Sequence, residues 1–417
     1  MIFQKRNPCP NPRWSALDTL LTTTVRIPDT LNVSRIYPFV FALVCLVASP
    51  LSQAIVPPPP KLPADAYFLI DANTGEVLVD HNGDLSLPPA SLTKIMTSYV
   101  LAEEVQSGRA SLDDPVTVDE ESWAQNPLFE GSSLMWIEPG KPVTLGELER
   151  GIVISSGNDA SVAAAKALAG TTASFVDVMN QTAARLGLND TVYRNPHGLP
   201  HPEHRTTARD LAALSVALIN DHPEHYKLYK EQRYTYNGIP TSNRNTLLRT
   251  DDSVDGLKTG YTSEAGYGLV ASALRDDMRL VSVVLGSATR RTRASESASL
   301  LNYGFRFFQT LRPLSGDVTL AEPRVWKAEA DNFIAGALES IALTVSRERT
   351  EVEIEVDVSE RLEAPISRGD AVGTIRVVRG SELLYETDLV ALEDVPAGSW
   401  LTRLIDALVL WFQGLLG

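Results

Sequence analysis

Cysteine is almost missing from this chain: only Cys9 and Cys45 occur, both within the first 54 of its 417 residues. That excludes a disulfide framework or a thiolate metal site from everything downstream, so the body must hold itself together by burying apolar surface. Basic residues are short as well, 37 Lys and Arg against 52 Asp and Glu, for a net charge of −15. Such a balance repels phosphate, and no nucleic acid is expected as a partner. Histidine is sparse, and half of it crowds into His197, His201 and His204. Pro200 and Pro202 forbid one helix from presenting that trio, so no metal is expected there, and nothing asks for a cofactor. Nor does any stretch offer the roughly 20 apolar residues of a membrane span. The shorter apolar run Pro38–Ala48 follows Arg35 and precedes Pro50 and the small-x-small site Ser52-Gln53-Ala54. It reads as part of a secretory leader covering residues 1–54. Val44 is too large for Cys45 to be a lipid-bearing cysteine. An exported protein is expected, working outside the cytoplasm.

What is there reads as a folded α+β chain in several parts. Residues 55–64 are proline-rich and predict an extended tether. Tyr67–Ile70 and Glu76–Val79 flank Asp71-Ala72-Asn73-Thr74-Gly75 as a hairpin. A helix is expected to begin at Ser91, because Leu92, Ile95, Met96, Tyr99 and Val100 form an apolar stripe of helical period. Thr144-Leu145-Gly146-Glu147 is a capping box opening a further helix to about Ile154, interrupted at Ser155–Asn158. Helical patterns continue over Asp159–Ala169, Phe175–Leu186 and Thr207–Asn220. From Val254 the period changes to that of an antiparallel meander: Gly256–Tyr261, Tyr267–Leu274 and Leu280–Leu285. A helix over Ala294–Thr310 follows. Strands at both ends of a helical middle predict one sheet shared by the first and last parts of a domain spanning 65–313. Beyond Arg312–Gly316, residues 314–395 carry β-type runs at Ile341–Val345, Glu351–Val358, Ala371–Val378 and Leu383–Leu389, a small sandwich-like domain. Residues 398–417 end the chain in an amphipathic helix. Its Trp400, Leu401, Leu404, Ile405, Leu408, Trp411, Phe412 and Leu415 share one face, as a helix lying in a membrane surface would have them (Trp400–Leu416).

Three short motifs carry the chemistry. Ser91 and Lys94 are one helical turn apart, so a lysine made neutral by burial can take the proton of the serine hydroxyl. Ser156-Gly157-Asn158 falls at the break between helices, where a hydroxyl can relay a proton and a carboxamide can hold Lys94 and a substrate amide. Lys258-Thr259-Gly260 sits in the first strand of the meander, whose edge can pair with an extended peptide, Gly260 letting backbone come close.

In this order, S-x-x-K, S-x-N and K-T-G resemble the penicilloyl-serine enzymes, with their fold of an antiparallel sheet and a helical cluster. The chain is most similar to the low-molecular-mass penicillin-binding proteins that act as D-alanyl-D-alanine carboxypeptidases. Gly131–Met135 and Gly304-Phe305-Arg306-Phe307-Phe308 also look like that group, and the likeness runs from about Ala66 to the C-terminus. It implies that Ser91 attacks the carbonyl between two D-alanines of a peptidoglycan stem pentapeptide, with Lys94 as base. It further implies an oxyanion hole from the N–H groups of Ser91 and Tyr261, protonation of the leaving D-alanine by Ser156 and Lys258, and a carboxylate grip by Thr259 and Arg293. Arg290 and Arg291 adjoin Arg293, and the motif alone leaves open which of the three meets the carboxylate. Tyr261 stands where the family often has histidine. β-Lactams are expected as covalent inhibitors, and the outer face of a bacterial inner membrane as the workplace. A class A β-lactamase is disfavoured, because no E-x-x-L-N motif lies between Asn158 and Lys258. An endopeptidase of peptide crosslinks and a non-hydrolytic β-lactam sensor remain as alternatives.

Overall fold

The computed structural model describes residues 56–416; the expected leader and both cysteines lie outside them. The first described residues are irregular, yet they do not stand away from the body as a tether would. Val56 and Leu62 pack against the sheet, and the Pro57 carbonyl accepts a hydrogen bond of 2.9 Å from the Tyr303 hydroxyl.

A five-stranded antiparallel sheet organises the first domain. Its strands are β1 (Ala66–Asp71), β2 (Val77–His81), β3 (Val254–Thr262), β4 (Gly266–Arg275) and β5 (Met278–Ser287), in the order β2-β1-β5-β4-β3. The shared sheet expected from the two ends of the domain is present: Ala66 pairs with Leu285 and Asp71 with Leu280. The middle of β4, Gly268–Ala273, and most of β5 are buried. They read as apolar runs rather than alternations because both sheet faces are covered. Between β2 and β3 come α1 (Lys94–Gln106), α2 (Leu145–Arg150), α3 (Asn158–Ala169), α4 (Thr172–Arg185) and α5 (Ala208–Asp221). These helices cover one face. The other is covered by α6 (Arg290–Phe307), whose Leu300, Leu301 and Phe305 pack on Leu69, Leu280 and Val284.

α1 departs from the expected one-sided stripe. Leu92, Ile95, Met96, Tyr99 and Val100 are buried, but so are Lys94, Thr97 and Ser98. The helix runs through the middle of the domain, so its polar side is enclosed as well, the Thr97 hydroxyl donating to the Pro196 carbonyl at 2.6 Å. Each large apolar side chain so buried contributes about 1.5–3 kcal/mol, which fixes the start of α1 firmly.

α6 ends at Phe307, earlier than its apolar pattern suggests. Phe308–Leu314 is instead a strand (β6), and it pairs with β9 (Ile341–Ser346). The chain therefore enters the second domain at residue 308, ahead of the Arg312–Gly316 turn expected to divide the two. β7 (Val318–Ala321), β8 (Ala335–Ala337), β10 (Glu353–Val358), β11 (Ala371–Arg379) and β12 (Glu382–Ala391) form a second sheet, ordered β7-β8-β12-β11-β10. A separate core joins the two layers, with Phe333, Ile375, Val377 and Leu389 at its centre. Last comes α7 (Trp400–Leu416).

Candidate active site

Ser91 does not cap a helix, as its position suggests it should. It lies within a single 3-10 turn, Ala90–Thr93, and α1 begins only at Lys94. The turn is entered through Ala90 in the left-handed region, at φ +48°. A non-glycine residue there costs about 1–3 kcal/mol unless its surroundings hold it. Two contacts do. The Thr93 hydroxyl donates to the Ala90 carbonyl at 2.8 Å, and His204 Nε2 lies 2.8 Å from the same hydroxyl. Gly198 presses so close that a Cβ built on it would stand 1.8 Å from the Ala90 oxygen. Held away from capping duty, the Ser91 Oγ points at Lys94.

The Lys94 amine has three neighbours: Ser91 Oγ at 3.2 Å, Asn158 Oδ1 at 2.7 Å and the His197 carbonyl at 2.6 Å. It is fully buried. Burial, and then the guanidinium of Arg244, push its pKa well below the ordinary lysine value, against a smaller opposing pull from Asp159. Of the three neighbours, two are oxygens without hydrogen and can only accept; the third is a hydroxyl. A neutral amine satisfies all of them by donating to Asn158 and His197 and accepting from Ser91. That is the proton inventory of a general base.

Ser156 follows the single π turn, Gly151–Ser155, that ends α2, and sits in the left-handed region at φ +60°. Its Oγ accepts a hydrogen bond of 2.9 Å from Lys258 Nζ on β3. Lys258 is buried too. Burial holds its pKa well below the lysine norm, followed by repulsion from Lys94, Arg244 and Arg293. Asn158 opens α3, and its backbone N–H donates to the Ser133 carbonyl at 2.8 Å. The next residue, Asp159, locks this corner: its carboxylate accepts from the backbone N–H groups of Met135, Trp136, Ile137 and Ala160. The three motifs thus meet in one place.

A cleft of about 350 Å³ opens over them, lined by Ser91, Ser156 and Asn158 on one side and Thr259, Gly260 and Tyr261 on the other. β3 is the outer strand of its sheet, so its edge is free to receive an extended chain. Gly260 serves differently from the expectation. A Cβ there would meet the Pro89 carbonyl at 3.0 Å and Ala90 Cβ at 3.3 Å. The missing side chain makes room for the Ser91 turn, not for the substrate. Tyr261 is half exposed and stacks on Tyr267, ring centres 4.2 Å apart. Arg293 and Arg290 line the cleft and Arg291 does not.

Three participants escaped the sequence reading. The His197 carbonyl holds Lys94, whereas its ring, considered as a metal ligand, accepts from the Leu199 N–H at 3.1 Å. The His201 ring likewise accepts from the Glu203 N–H. Asp159 is the second residue, and its adjacency to Asn158 was the only signal. Arg244 lines the cleft and donates to the Ser155 carbonyl at 2.8 Å. It stands in an irregular segment, where no periodicity marks it.

Residues 53–289 match the family described as D-alanyl-D-alanine carboxypeptidase, and residues 308–397 match the penicillin-binding protein 5 C-terminal domain. D-alanyl-D-alanine carboxypeptidase DacC of Escherichia coli K12 is 41% identical over 379 residues, which cover 90% of this chain and 94% of DacC. Penicillin-binding protein 5 of Haemophilus influenzae superposes with a TM-score of 0.77 at 37% identity, over 82% of this chain and 99% of that one. Penicillin-binding protein D2 of Listeria monocytogenes, solved in its ampicillin-bound form, has a TM-score of 0.53 at 29% identity, over 60% of this chain and 100% of its own.

Proposed function

The chain belongs to the D-alanyl-D-alanine carboxypeptidase family, and from that premise we propose how its own residues remove the terminal D-alanine from a peptidoglycan stem. It is a serine-type hydrolase that works through an acyl-enzyme and is acylated by β-lactams. The observation that carries the assignment is the buried Lys94 amine 3.2 Å from the Ser91 hydroxyl.

The stem lies along the free edge of β3, with its last peptide carbonyl over Ser91. Lys94 takes the Ser91 proton as Oγ bonds to the carbonyl carbon. The Ser91 and Tyr261 N–H groups receive the oxyanion. As the C–N bond breaks, the proton reaches the departing amine through Ser156, whose hydroxyl is held by Lys258. Thr259 and Arg293 hold the carboxylate of the leaving residue. Water then takes the place of the amine, Lys94 again accepts a proton, and Ser91 is released. A β-lactam follows the first half of this course, its ring nitrogen remaining tethered to the acyl group.

The workplace we propose is the outer face of a bacterial inner membrane, reached after removal of residues 1–54. α7 supports this reading. Trp400, Leu404, Leu408, Trp411 and Phe412 are exposed, while the helix is tied to the β domain through Asp406, whose carboxylate accepts from the Lys327 N–H. An apolar face left open beside two tryptophans suits the boundary between headgroups and acyl chains.

Residues 55–417 incubated with a peptide ending in D-Ala-D-Ala release free D-alanine, and Ser91→Ala abolishes the release. Release that survives this substitution places the nucleophile elsewhere. Deleting 400–417 frees the protein from membranes without loss of activity on soluble peptide; a truncated protein that stays with the membrane fraction points to a retained leader instead.

A further inference from the structure

The cleft is lined by three arginines and by no aspartate or glutamate, in a chain whose net charge is −15. None of the three arginines has a carboxylate partner among the described residues. Arg293 is 5% exposed; its Nη1 donates to the carbonyls of Gly260 and Gly268, each at 3.2 Å, and its Nε finds no acceptor. The nearest acid on its own helix face, Glu296, is turned to the Ser287 hydroxyl. Arg244 spends one N–H on the Ser155 carbonyl. Arg290 is exposed and is the first residue of α6. There the free N–H groups of the helix already carry partial positive charge, so a cation is disfavoured. It lies one turn before Arg293 and so on the same face. Its charge reaches both others: it lowers the pKa of Arg244 and of Arg293, in each case second to burial.

Like charges gathered without counter-ions destabilise the empty protein, and an anion relieves them. A single terminal carboxylate engages Arg293 and leaves Arg290 free. We propose that Arg290 is a specificity-determining residue on the leaving-group side of the cleft, favouring leaving residues that carry a second carboxylate in addition to the terminal one. This rests on the carboxypeptidase reading and extends it. Arg293 holds the α-carboxylate at depth, and Arg290 at the rim meets an acidic side chain on the same departing residue.

The test compares two N-acylated peptides, one ending in D-Ala-D-Ala and the other in D-Ala-D-Glu, by steady-state release of the last residue at low and moderate salt. For Arg290→Gln the ratio of kcat/KM for D-Glu over D-Ala release drops by about three- to tenfold, mainly through KM, as expected for one partly desolvated ion pair. Added salt shrinks the difference. Arg290→Lys keeps most of the preference. Arg291→Gln removes the same charge from the neighbouring residue outside the cleft and leaves the ratio where it was. An unchanged ratio in Arg290→Gln overturns the proposal, as does an equal change in Arg291→Gln, which reduces the effect to net charge. If the unaltered protein releases neither residue, the carboxypeptidase reading itself has failed and this inference goes with it.

Discussion

Lys94 governs the site through what surrounds it. Its ammonium form has no lone pair for the Ser91 proton, so acylation rises with pH through the Lys94 pKa and is flat above it. Because burial depresses that pKa, the plateau is reached well below the ordinary lysine value of 10.5. Acylation rates with a fluorescent penicillin, followed across the neutral and alkaline range, check this; a midpoint near the ordinary value means that Lys94 is not the base. Gly260 makes a second test at the same scale. Gly260→Ala puts a methyl group 3.0 Å from the Pro89 carbonyl and 3.1 Å from Leu92 Cγ, displacing the Ser91 turn by a fraction of an ångström or more. Misplacement of a nucleophile on that scale costs up to about 100-fold in rate, whereas overpacking of this size costs about 1–3 kcal/mol of stability. The variant should fold, bind peptide and turn over slowly; normal turnover shows that the turn gives way harmlessly.

At the scale of elements, two helix starts make a contrast. Thr144 caps α2 in a reciprocal box with Glu147, and Thr144→Ala costs about 1 kcal/mol with little effect on acylation. At the head of α3, Asp159 instead gathers backbone N–H groups from residues 135–137. Asp159→Asn turns an acceptor into a donor against those N–H groups, a loss of about 1.5–3 kcal/mol. It should also slow acylation, because the same corner holds Ser156 and Asn158. Equal acylation in the two variants refutes this division of labour. The capping box was legible because its signal is local: four residues specify it. The meander was legible for the same reason, as was the alternating Glu351–Val358 run, which forms its strand from Glu353 onward. The Ser91 turn was legible in part: the spacing predicts a helix start at Ser91, but not that its first turn is a 3-10 turn entered through a left-handed Ala90, a conformation supported by the packing of Gly198 and by the Thr93–His204 contact. β6 was unreadable for a related cause. Phe308 continues the apolar spacing of α6, and the strand exists through its partner β9, some thirty residues on. Above all, a backbone carbonyl such as that of His197 is not written in residue type; the motifs predicted which side chains meet, and tertiary structure alone supplied what holds the amine between them.

In the whole molecule, one buried carboxylate fastens the two domains. Asp71, at the end of β1, is fully buried and accepts from Thr310 on β6 at 2.6 Å and from Thr344 on β9 at 2.8 Å. Asp71→Ala removes both bonds and leaves two hydroxyls to find other partners, about 1–3 kcal/mol of coupling. Calorimetry of that variant is expected to resolve two unfolding steps, with penicillin acylation intact below the first; a single sharp transition at an unshifted temperature shows that the domains are joined by something else. The same strand has a bearing on how the protein comes into being. β1 is made early, but the strand it must lie beside, β5, is made only after all the intervening helices, since Ala66 pairs with Leu285. Until then the emerging polypeptide has no place to put Phe68 or Leu69. Closure of so long a loop is slow, and during this interval the growing chain keeps those apolar side chains bare, a surface on which it can stick to its neighbours.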